Sequence, residues 1–156
     1  MTAIRTENLS KSFGETIAVR NLTLAVEEGE LFGLVGPDGA GKSTTMRLLS
    51  AIMDPTSGDA WVAGFHVVRE ADEIKNHIAY VGQQFGLYPD LTVTENLHFY
   101  ADLYGVPRQQ RPERLERLLS FSGLAPFGRR LAGNLSGGMQ QKLSLACALI
   151  HTPKIL

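Results

Sequence analysis

The eight residues from 36 to 43 read Gly36-Pro37-Asp38-Gly39-Ala40-Gly41-Lys42-Ser43 and match the pattern G-x-x-x-x-G-K-[ST]. The apolar run from Leu31 to Val35 precedes them and is typical of a strand buried on both faces. From Gly41 onward, apolar residues recur at spacings of three and four, which predicts a helix. A strand, a glycine-rich loop and a helix in this order form the context that a phosphate-binding loop, or P-loop, requires.

The residue types of this loop suit the phosphates of a nucleotide. Glycines let backbone N–H groups approach the phosphates closely, and the N-terminus of the following helix favours anions. Lys42 supplies a positive charge for the β and γ phosphates, and the Ser43 hydroxyl can bind Mg²⁺. We predict that the loop from Gly36 to Thr44 holds the phosphates. The alternative is a glycine-rich turn that binds no ligand.

Composition predicts a globular chain without a membrane span. The sequence has 156 residues, of which 44% are apolar and 20% charged, as expected for one domain or most of one. The longest unbroken apolar run, Leu145 to Ile150, is far shorter than the roughly 20 residues that cross a bilayer. The N-terminus lacks the apolar stretch of a secretory signal, and the lone Cys147 cannot form an internal disulfide. We therefore expect a reducing, cytoplasmic setting, with Cys147 in a packed helix.

The net charge of −1 conceals two oppositely charged parts of the sequence. Residues 1–104 carry seven basic and fourteen acidic side chains, whereas residues 105–156 carry eight basic and two acidic ones. Four of the basic residues lie at helical spacing around acidic neighbours: Arg108, Arg111, Arg114 and Arg117. This interleaving favours a solvated helix face over a nucleic-acid surface, which remains the alternative.

Alternation of apolar residues predicts the strands. Residues 3–26 alternate around a turn-like Gly14-Glu15 and predict antiparallel strands. Residues 61–63 and 78–81 predict further short strands, and another is expected to begin at Lys154-Ile155-Leu156.

Helical spacing and capping residues predict the helices. The first starts at Gly41, includes Ile52 and Met53 in its apolar pattern and is expected to be stopped by Pro55 and Gly58. Residues 69–75 have helical propensity. Three amphipathic helices follow, one capped by Thr92, one over about residues 112–122 and one from near Gly137. Mixed strands followed by helices predict an α/β domain that carries a helical insertion.

A second motif indicates the family. Leu135-Ser136-Gly137-Gly138-Met139 resembles the LSGGQ signature of the ATP-binding cassette ATPases and follows the P-loop by about a hundred residues, as in that family. The chain is most similar to the export-type branch with an ABC-2 permease, in which Met often replaces the signature glutamine. Asp38 departs from the family, where asparagine is usual. The signature glycines also offer open N–H groups at a helix start, although Ser136 could serve only as a helix cap.

Two further residues are assigned by the resemblance. Phe13 occupies the place of the aromatic residue that stacks on adenine, with a core position as the alternative. Gln83 aligns with the Q-loop glutamine that reaches Mg²⁺ and the attacking water, with Gln84 as the adjacent competitor. The segment from residue 85 to 97 resembles the one that family members set against a transmembrane partner.

The resemblance implies a fold and a function. The fold is an α/β P-loop NTPase sheet with an N-terminal antiparallel β subdomain and a helical insertion, incomplete at the C-terminus. Residues 1–83 form the nucleotide-binding core, residues 84–135 the helical subdomain, and residues 136–156 the signature helix and the start of the Walker B strand. The cofactors are ATP and Mg²⁺, with Lys42 and Gln83 catalytic and Ser43 and Gln83 on the metal.

The implied protein energises an exporter. Ser136, Gly137 and Gly138 would grip ATP on a second cassette, in a head-to-tail dimer or a tandem domain, at the cytoplasmic face of the inner (plasma) membrane. The partner is a transmembrane permease, and no nucleic acid is expected. Because the family's Walker B carboxylates come after residue 156, we expect the chain to bind ATP without hydrolysing it. The alternatives are a soluble cassette ATPase acting on ribosomes or nucleic acid, and a nucleotide-binding module that never hydrolyses.

Overall fold

The computed structural model describes residues 1–82 and 86–156. These residues divide into two compact units. Unit 1 comprises residues 1–78 together with Ile155, and unit 2 comprises residues 79–154 together with Leu156.

Unit 1 contains an antiparallel sheet and two helices. The elements are β1 (Thr2–Phe13), β2 (Thr16–Glu27), α1 (Lys42–Leu49), β3 (Ser57–Val62), β4 (Phe65–His66) and α2 (Ala71–His77). The strand order is β2-β1-β3-β4, and neighbouring strands pair antiparallel. The predicted hairpin over residues 3–26, with its turn at Gly14-Glu15, is therefore confirmed, and so is helix α2.

The core of unit 1 lies between one face of this sheet and α1. Leu48 and Leu49 of α1 are buried with Leu9 of β1 and Val62 of β3. Burying an aliphatic side chain of this size stabilises the fold by about 1.5–3 kcal/mol. The helix that follows the glycine loop is thus fixed to the sheet by its own buried residues.

The structure corrects three predictions in unit 1. Residues 31–35 form no strand, and Val35 is 96% exposed. A strand needs a partner for its backbone groups, and the described residues place none beside this run. Instead of strands at 78–81 and from 155, the chain makes one parallel bridge between Ile78 and Ile155. Helix α1 ends at Leu49, well before Pro55, because Ala51 adopts a left-handed φ of 54°.

Unit 2 is helical. It contains α3 (Val93–Leu103), α4 (Arg111–Ser122) and α5 (Gly137–Leu149), and short 3-10 turns at Arg108–Gln110, Ala125–Phe127 and Ala132–Asn134. All three predicted amphipathic helices are confirmed. Their inner faces form one core, which includes Leu97 of α3, Leu115 of α4 and Leu143 of α5.

Helix α3 begins with the predicted cap. The Thr92 side chain accepts a hydrogen bond from the Glu95 backbone N–H, and the Glu95 carboxylate accepts one from the Thr92 backbone N–H. The bond from the Thr92 backbone lowers the pKa of Glu95, because it favours the charged carboxylate. This reciprocal pair fixes where the loop ends and the helix starts.

Asn96 holds the loop before α3. Its side chain is fully buried, and its Oδ1 accepts a hydrogen bond of 2.9 Å from the Tyr88 N–H. Its Nδ2 donates to the carbonyls of Tyr88, Leu91 and Thr92 at 3.0, 3.2 and 3.0 Å. The side-chain amide of Asn96 thus provides hydrogen-bond partners for backbone groups of a loop that does not belong to a β-sheet.

We predict that Asn96→Ala lowers the free energy of unfolding by about 2–4 kcal/mol, because it leaves the Tyr88 N–H and three carbonyls without this partner. Urea denaturation followed by far-ultraviolet circular dichroism measures the change. His98→Ala, at an exposed position of the same helix, is the control and should shift the value by about 0.5 kcal/mol or less. Equal effects of the two substitutions would contradict the role of Asn96.

Candidate functional site

The glycine loop is anchored on β2 through Gly41. This residue precedes α1 with a left-handed φ of 85°. A Cβ added to it would lie 2.1 Å from the Ala18 carbonyl oxygen and 3.4 Å from Cγ2 of Val19. No side chain fits between the loop and the strand, so glycine is required here for space as well as for conformation. Because glycine also has no capping side chain, the first N–H groups of α1 stay available to an anion.

Lys42 lies across the loop that it follows. Its Nζ donates hydrogen bonds of 2.7 Å to the carbonyl oxygens of Gly36 and Pro37. These bonds hold the ammonium group against the backbone of the loop. A positive charge and an uncapped helix N-terminus therefore both belong to the loop, a combination that suits an anion such as a phosphate.

The remainder of the loop is open to solvent. Residues 36–40 are exposed, and so is Ser43. A turn from the Pro37 carbonyl to the Ala40 N–H, 3.2 Å long, shapes the loop. A Cβ on Gly39 would meet nothing within 4 Å, so space remains there for a ligand. Thr44 is half-buried on the first turn of α1, and the exposed Asp38 adds a negative charge to the loop.

A metal at this site would depend on few protein groups. Among residues 1–82 and 86–156, no three His, Cys, Asp or Glu side chains come together in a way that could hold a metal ion. The exposed hydroxyl of Ser43 is one oxygen ligand that the loop itself offers, beside the exposed carboxylate of Asp38. Gln83, the other predicted metal ligand, lies outside the described residues, as does Gln84. Mg²⁺ fits this donor set only as an ion shared with phosphate oxygens and water.

Phe13 ends β1 on the same hairpin that supports the loop. The residue is 49% exposed, so it is not the core residue that the alternative interpretation required. It pairs with Thr16 at the hairpin turn, and Lys11, two residues before it, pairs with Val19 beside Gly41. The hairpin therefore presents an open aromatic ring and supports the P-loop with the same pair of strands.

The signature residues lie at the start of α5 in unit 2. Ser136 is the N-cap, and its Oγ accepts a hydrogen bond of 3.4 Å from the Met139 N–H. Ser136, Gly137 and Gly138 are exposed, and a Cβ on either glycine would meet nothing within 4 Å. The packing of the chain thus does not require glycine at these positions, although glycine costs up to about 1 kcal/mol in a helix.

Two arginines of the predicted basic helix face form hydrogen bonds within unit 2. Arg111 donates to the Asp102 carboxylate and, through Nε, to the Val106 carbonyl at 2.8 Å. Arg114 donates to the Ile150 carbonyl at 2.9 Å and to Gln110 at 2.7 Å. These two guanidinium groups join helices and loops of the unit, which reduces the basic charge that a nucleic acid could contact.

Cys147 packs inside α5, as its surroundings in the sequence predict. The side chain is buried in the core of unit 2. Desolvation raises the pKa of its thiol to about 12, so the thiol stays neutral at physiological pH. It lacks the thiolate that a nucleophile needs.

Two important residues escaped the sequence analysis. The side chain of Lys11 contacts the carbonyl of Asp54, 43 positions away along the chain, and no local pattern indicates that contact. Asn96 occupies an interior position of a helix, where its sequence neighbours do not reveal the loop that it binds. A polar residue at an otherwise apolar helical spacing was the available signal for Asn96.

Comparison with known protein families identifies the family of this chain. The G-x-x-x-x-G-K-[ST] motif, its glycine loop and the helix that follows are features of P-loop nucleotide-binding domains, although residues 31–35 form no strand before the loop. Residues 19–156 match the family described as ABC transporter, and the chain belongs to that family.

The chain is similar to relatives that are named for multidrug transport and for import. It is 50% identical over 139 residues to the probable multidrug ABC transporter ATP-binding protein YbhF of Escherichia coli strain K12, covering 89% of this chain and 24% of YbhF. It is 39% identical over 154 residues to the spermidine/putrescine import ATP-binding protein PotA of Rubrobacter xylanophilus, covering 99% of this chain and 41% of PotA. The chain thus spans less than half the length of either relative.

A solved structure shows the same fold. The structure described as the ATP binding subunit of an ABC transporter has a TM-score of 0.87 to this chain at 29% identity. The match covers 97% of this chain and 63% of that one. The predicted ATP-binding cassette fold is therefore confirmed. Within the part of the chain that the structure describes, no helix has the length and apolar character that crossing a bilayer requires.

We predict that Gly41→Ala destabilises unit 1 more than Gly39→Ala does. Both glycines have φ near 80°, so both substitutions carry a conformational cost of about 1–2 kcal/mol. The added methyl group collides with the Ala18 carbonyl at residue 41 only, whereas it enters open space at residue 39. Thermal unfolding followed by the fluorescence of Trp61, which lies in unit 1, compares them. Equal losses of stability would mean that the contact with β2 is unimportant.

Proposed function

We propose that this chain binds Mg-ATP at the P-loop and serves as part of the ATP-binding component of an export transporter. The observation that carries the proposal is the position of the Lys42 ammonium group, held over an exposed glycine loop at the uncapped start of α1. Membership of the ABC transporter family supports ATP as the nucleotide. A bound triphosphate would replace the two carbonyl oxygens as the partner of Lys42.

Each residue around the loop has a proposed task. The residues from 36 to 44, by their N–H groups and the Lys42 ammonium, bind the phosphates, and the open ring of Phe13 stacks on the adenine. Ser43 and Gln83 hold Mg²⁺, which neutralises phosphate charge when it is bound. Gln83 also orients the attacking water in the whole protein, and Lys42 is the catalytic cation.

The start of α5 is proposed as a second phosphate grip. The hydroxyl of Ser136 accepts only a long hydrogen bond, so its own hydrogen remains available to a phosphate oxygen. The open space around Gly137 and Gly138 lets a phosphate reach the first N–H groups of the helix. We infer that the phosphate belongs to ATP on a second cassette, in a head-to-tail dimer or a tandem domain.

The transporter is proposed to work as an exporter. Met139 at the fifth signature position supports the export-type branch, and so does the 50% identity to a protein named for multidrug transport, although import proteins are among the relatives at 38–41%. We place the chain on the cytoplasmic face of the inner (plasma) membrane, bound peripherally to a permease. The segment that Asn96 shapes, residues 88–92, is the proposed contact with that permease.

The 156 residues are proposed to bind ATP without turning it over. Phosphoryl transfer to water needs a positioned water and metal-held charge. The described residues place no cluster of carboxylates at the P-loop that could supply them. Hydrolysis is assigned to the whole protein, as the family implies.

We predict that Lys42→Ala weakens Mg-ATP binding at least about tenfold, because it removes the cation that faces the phosphates. Isothermal titration calorimetry measures binding, and phosphate release is followed in the same samples, where neither protein should show turnover.

The control for this experiment is Lys75→Ala, which removes an exposed lysine that pairs with Asp72 on α2 of the same unit. It should leave ATP binding unchanged. Unaltered binding by Lys42→Ala would refute the P-loop assignment, and steady turnover lost in Lys42→Ala would refute the proposal that these residues do not hydrolyse ATP.

We predict that the protein, tagged in its own cell and extracted from membranes in mild detergent, copurifies with a multispan membrane protein. Tyr88→Ala should weaken this association, because Tyr88 is exposed in the proposed contact segment. Phe121→Ala, an exposed aromatic residue on α4, is the control and should not. Copurification with ribosomes or nucleic acid instead would favour the soluble cassette alternative.

A further inference from the structure

Lys11 connects the ring of Phe13 to the loop that follows α1. Its Nζ donates a hydrogen bond of 2.7 Å to the Asp54 carbonyl and lies 5.4 Å from the centroid of the Phe13 ring. An ammonium group within about 6 Å of a ring centroid is attracted to the face of that ring. The side chain thus has two partners, a carbonyl of one loop and an aromatic face of the hairpin.

The strand around Lys11 is tied to the same loop by backbone groups. The Ser12 N–H donates to Thr56 Oγ1 at 3.0 Å, and the Thr56 N–H donates to the Ser10 carbonyl at 2.8 Å. These bonds flank Lys11 on both sides along β1. The backbone on both sides of Lys11 is therefore bonded to this loop, and the ammonium group is held there by its own bond to the Asp54 carbonyl.

This arrangement leaves Phe13 with one open face. The residue is 49% exposed, and the Lys11 ammonium group lies over one face of the ring. Lys11 also pairs with Val19, whose side chain lies beside Gly41 of the P-loop. The open face of the ring and the phosphate loop are consequently fixed to the same two strands.

We propose that Lys11 is a positioning residue for nucleotide base recognition: it covers one face of Phe13 and holds the ring so that a purine base stacks on the other. The proposal rests on the proposed function, in which Phe13 contacts the base. Lys11 acts through Phe13 and does not touch the phosphates. Its removal should therefore affect ligands that carry a base and spare ligands that consist of phosphates alone.

Lys11→Met tests this division, because methionine keeps an unbranched apolar stem and removes the charge and the hydrogen bond. Binding of ATP and of inorganic tripolyphosphate, both with Mg²⁺, is measured by calorimetry. We expect the affinity for ATP to fall roughly threefold to tenfold and that for tripolyphosphate to stay unchanged. Lys11→Arg, which retains a cation, should restore most of the affinity for ATP.

Two further single variants and one double variant complete the experiment. Arg20→Met removes an exposed positive charge from β2 of the same hairpin and should alter neither affinity. Phe13→Ala should lower the affinity for ATP alone, and adding Lys11→Met to it should cause no further loss, because both substitutions act on one contact.

The outcomes distinguish a failure of the inference about Lys11 from a failure of the proposed function on which it rests. If Phe13→Ala leaves the affinity for ATP unchanged, the base contact in the proposed function is wrong and the inference falls with it. If Phe13→Ala weakens ATP binding but Lys11→Met does not, the proposed function stands and the inference is overturned. Equal loss of both ligands in Lys11→Met also overturns it, since that result marks a residue needed for the fold or for general charge.

Discussion

The contact between Gly41 and the Ala18 carbonyl is the constraint on which unit 1 depends. The strand backbone lies where a side chain of residue 41 would begin, so the loop, α1 and β2 are joined without any intervening atom. Leu48 and Leu49 then bury the far end of α1 against the sheet. The C-terminal end of the loop is therefore fixed before a ligand arrives, which reduces the entropy that binding must remove.

Unit 2 is organised by backbone bonds between two loops. The Ala132 N–H donates to the Leu91 carbonyl at 2.8 Å, and the Gly133 N–H donates to the Pro89 carbonyl at 2.9 Å. The Asn96 side chain holds the first loop, which contains Pro89 and Leu91, through its hydrogen bond with Tyr88. The second loop, which contains Ala132 and Gly133, leads within a few residues to Ser136. Backbone hydrogen bonds therefore join the loop of the proposed permease contact to the loop that precedes the signature residues.

Local patterns predicted the elements whose partners are near in the sequence. The hairpin around Gly14 and the capped helix at Thr92 follow from alternation and capping, which act over a few residues. The run from Leu31 to Val35 failed because its apolar character specifies burial, whereas a strand also needs a neighbour for its backbone. The glycine loop was predictable as a motif, but the reason for Gly41 was not, because Ala18 is 23 positions away.

Gly137 and Gly138 lower the stability of the start of α5 but leave its first N–H groups accessible to a ligand. Helix α5 begins with Gly137 and Gly138 and has no acidic residue in its first turn, so nothing there strengthens the helix start beyond the Ser136 cap. Alanine would fit both places without a clash and would favour the helix. The two glycines therefore lower the stability of the helix start, and they leave an unobstructed path to the first N–H groups of α5.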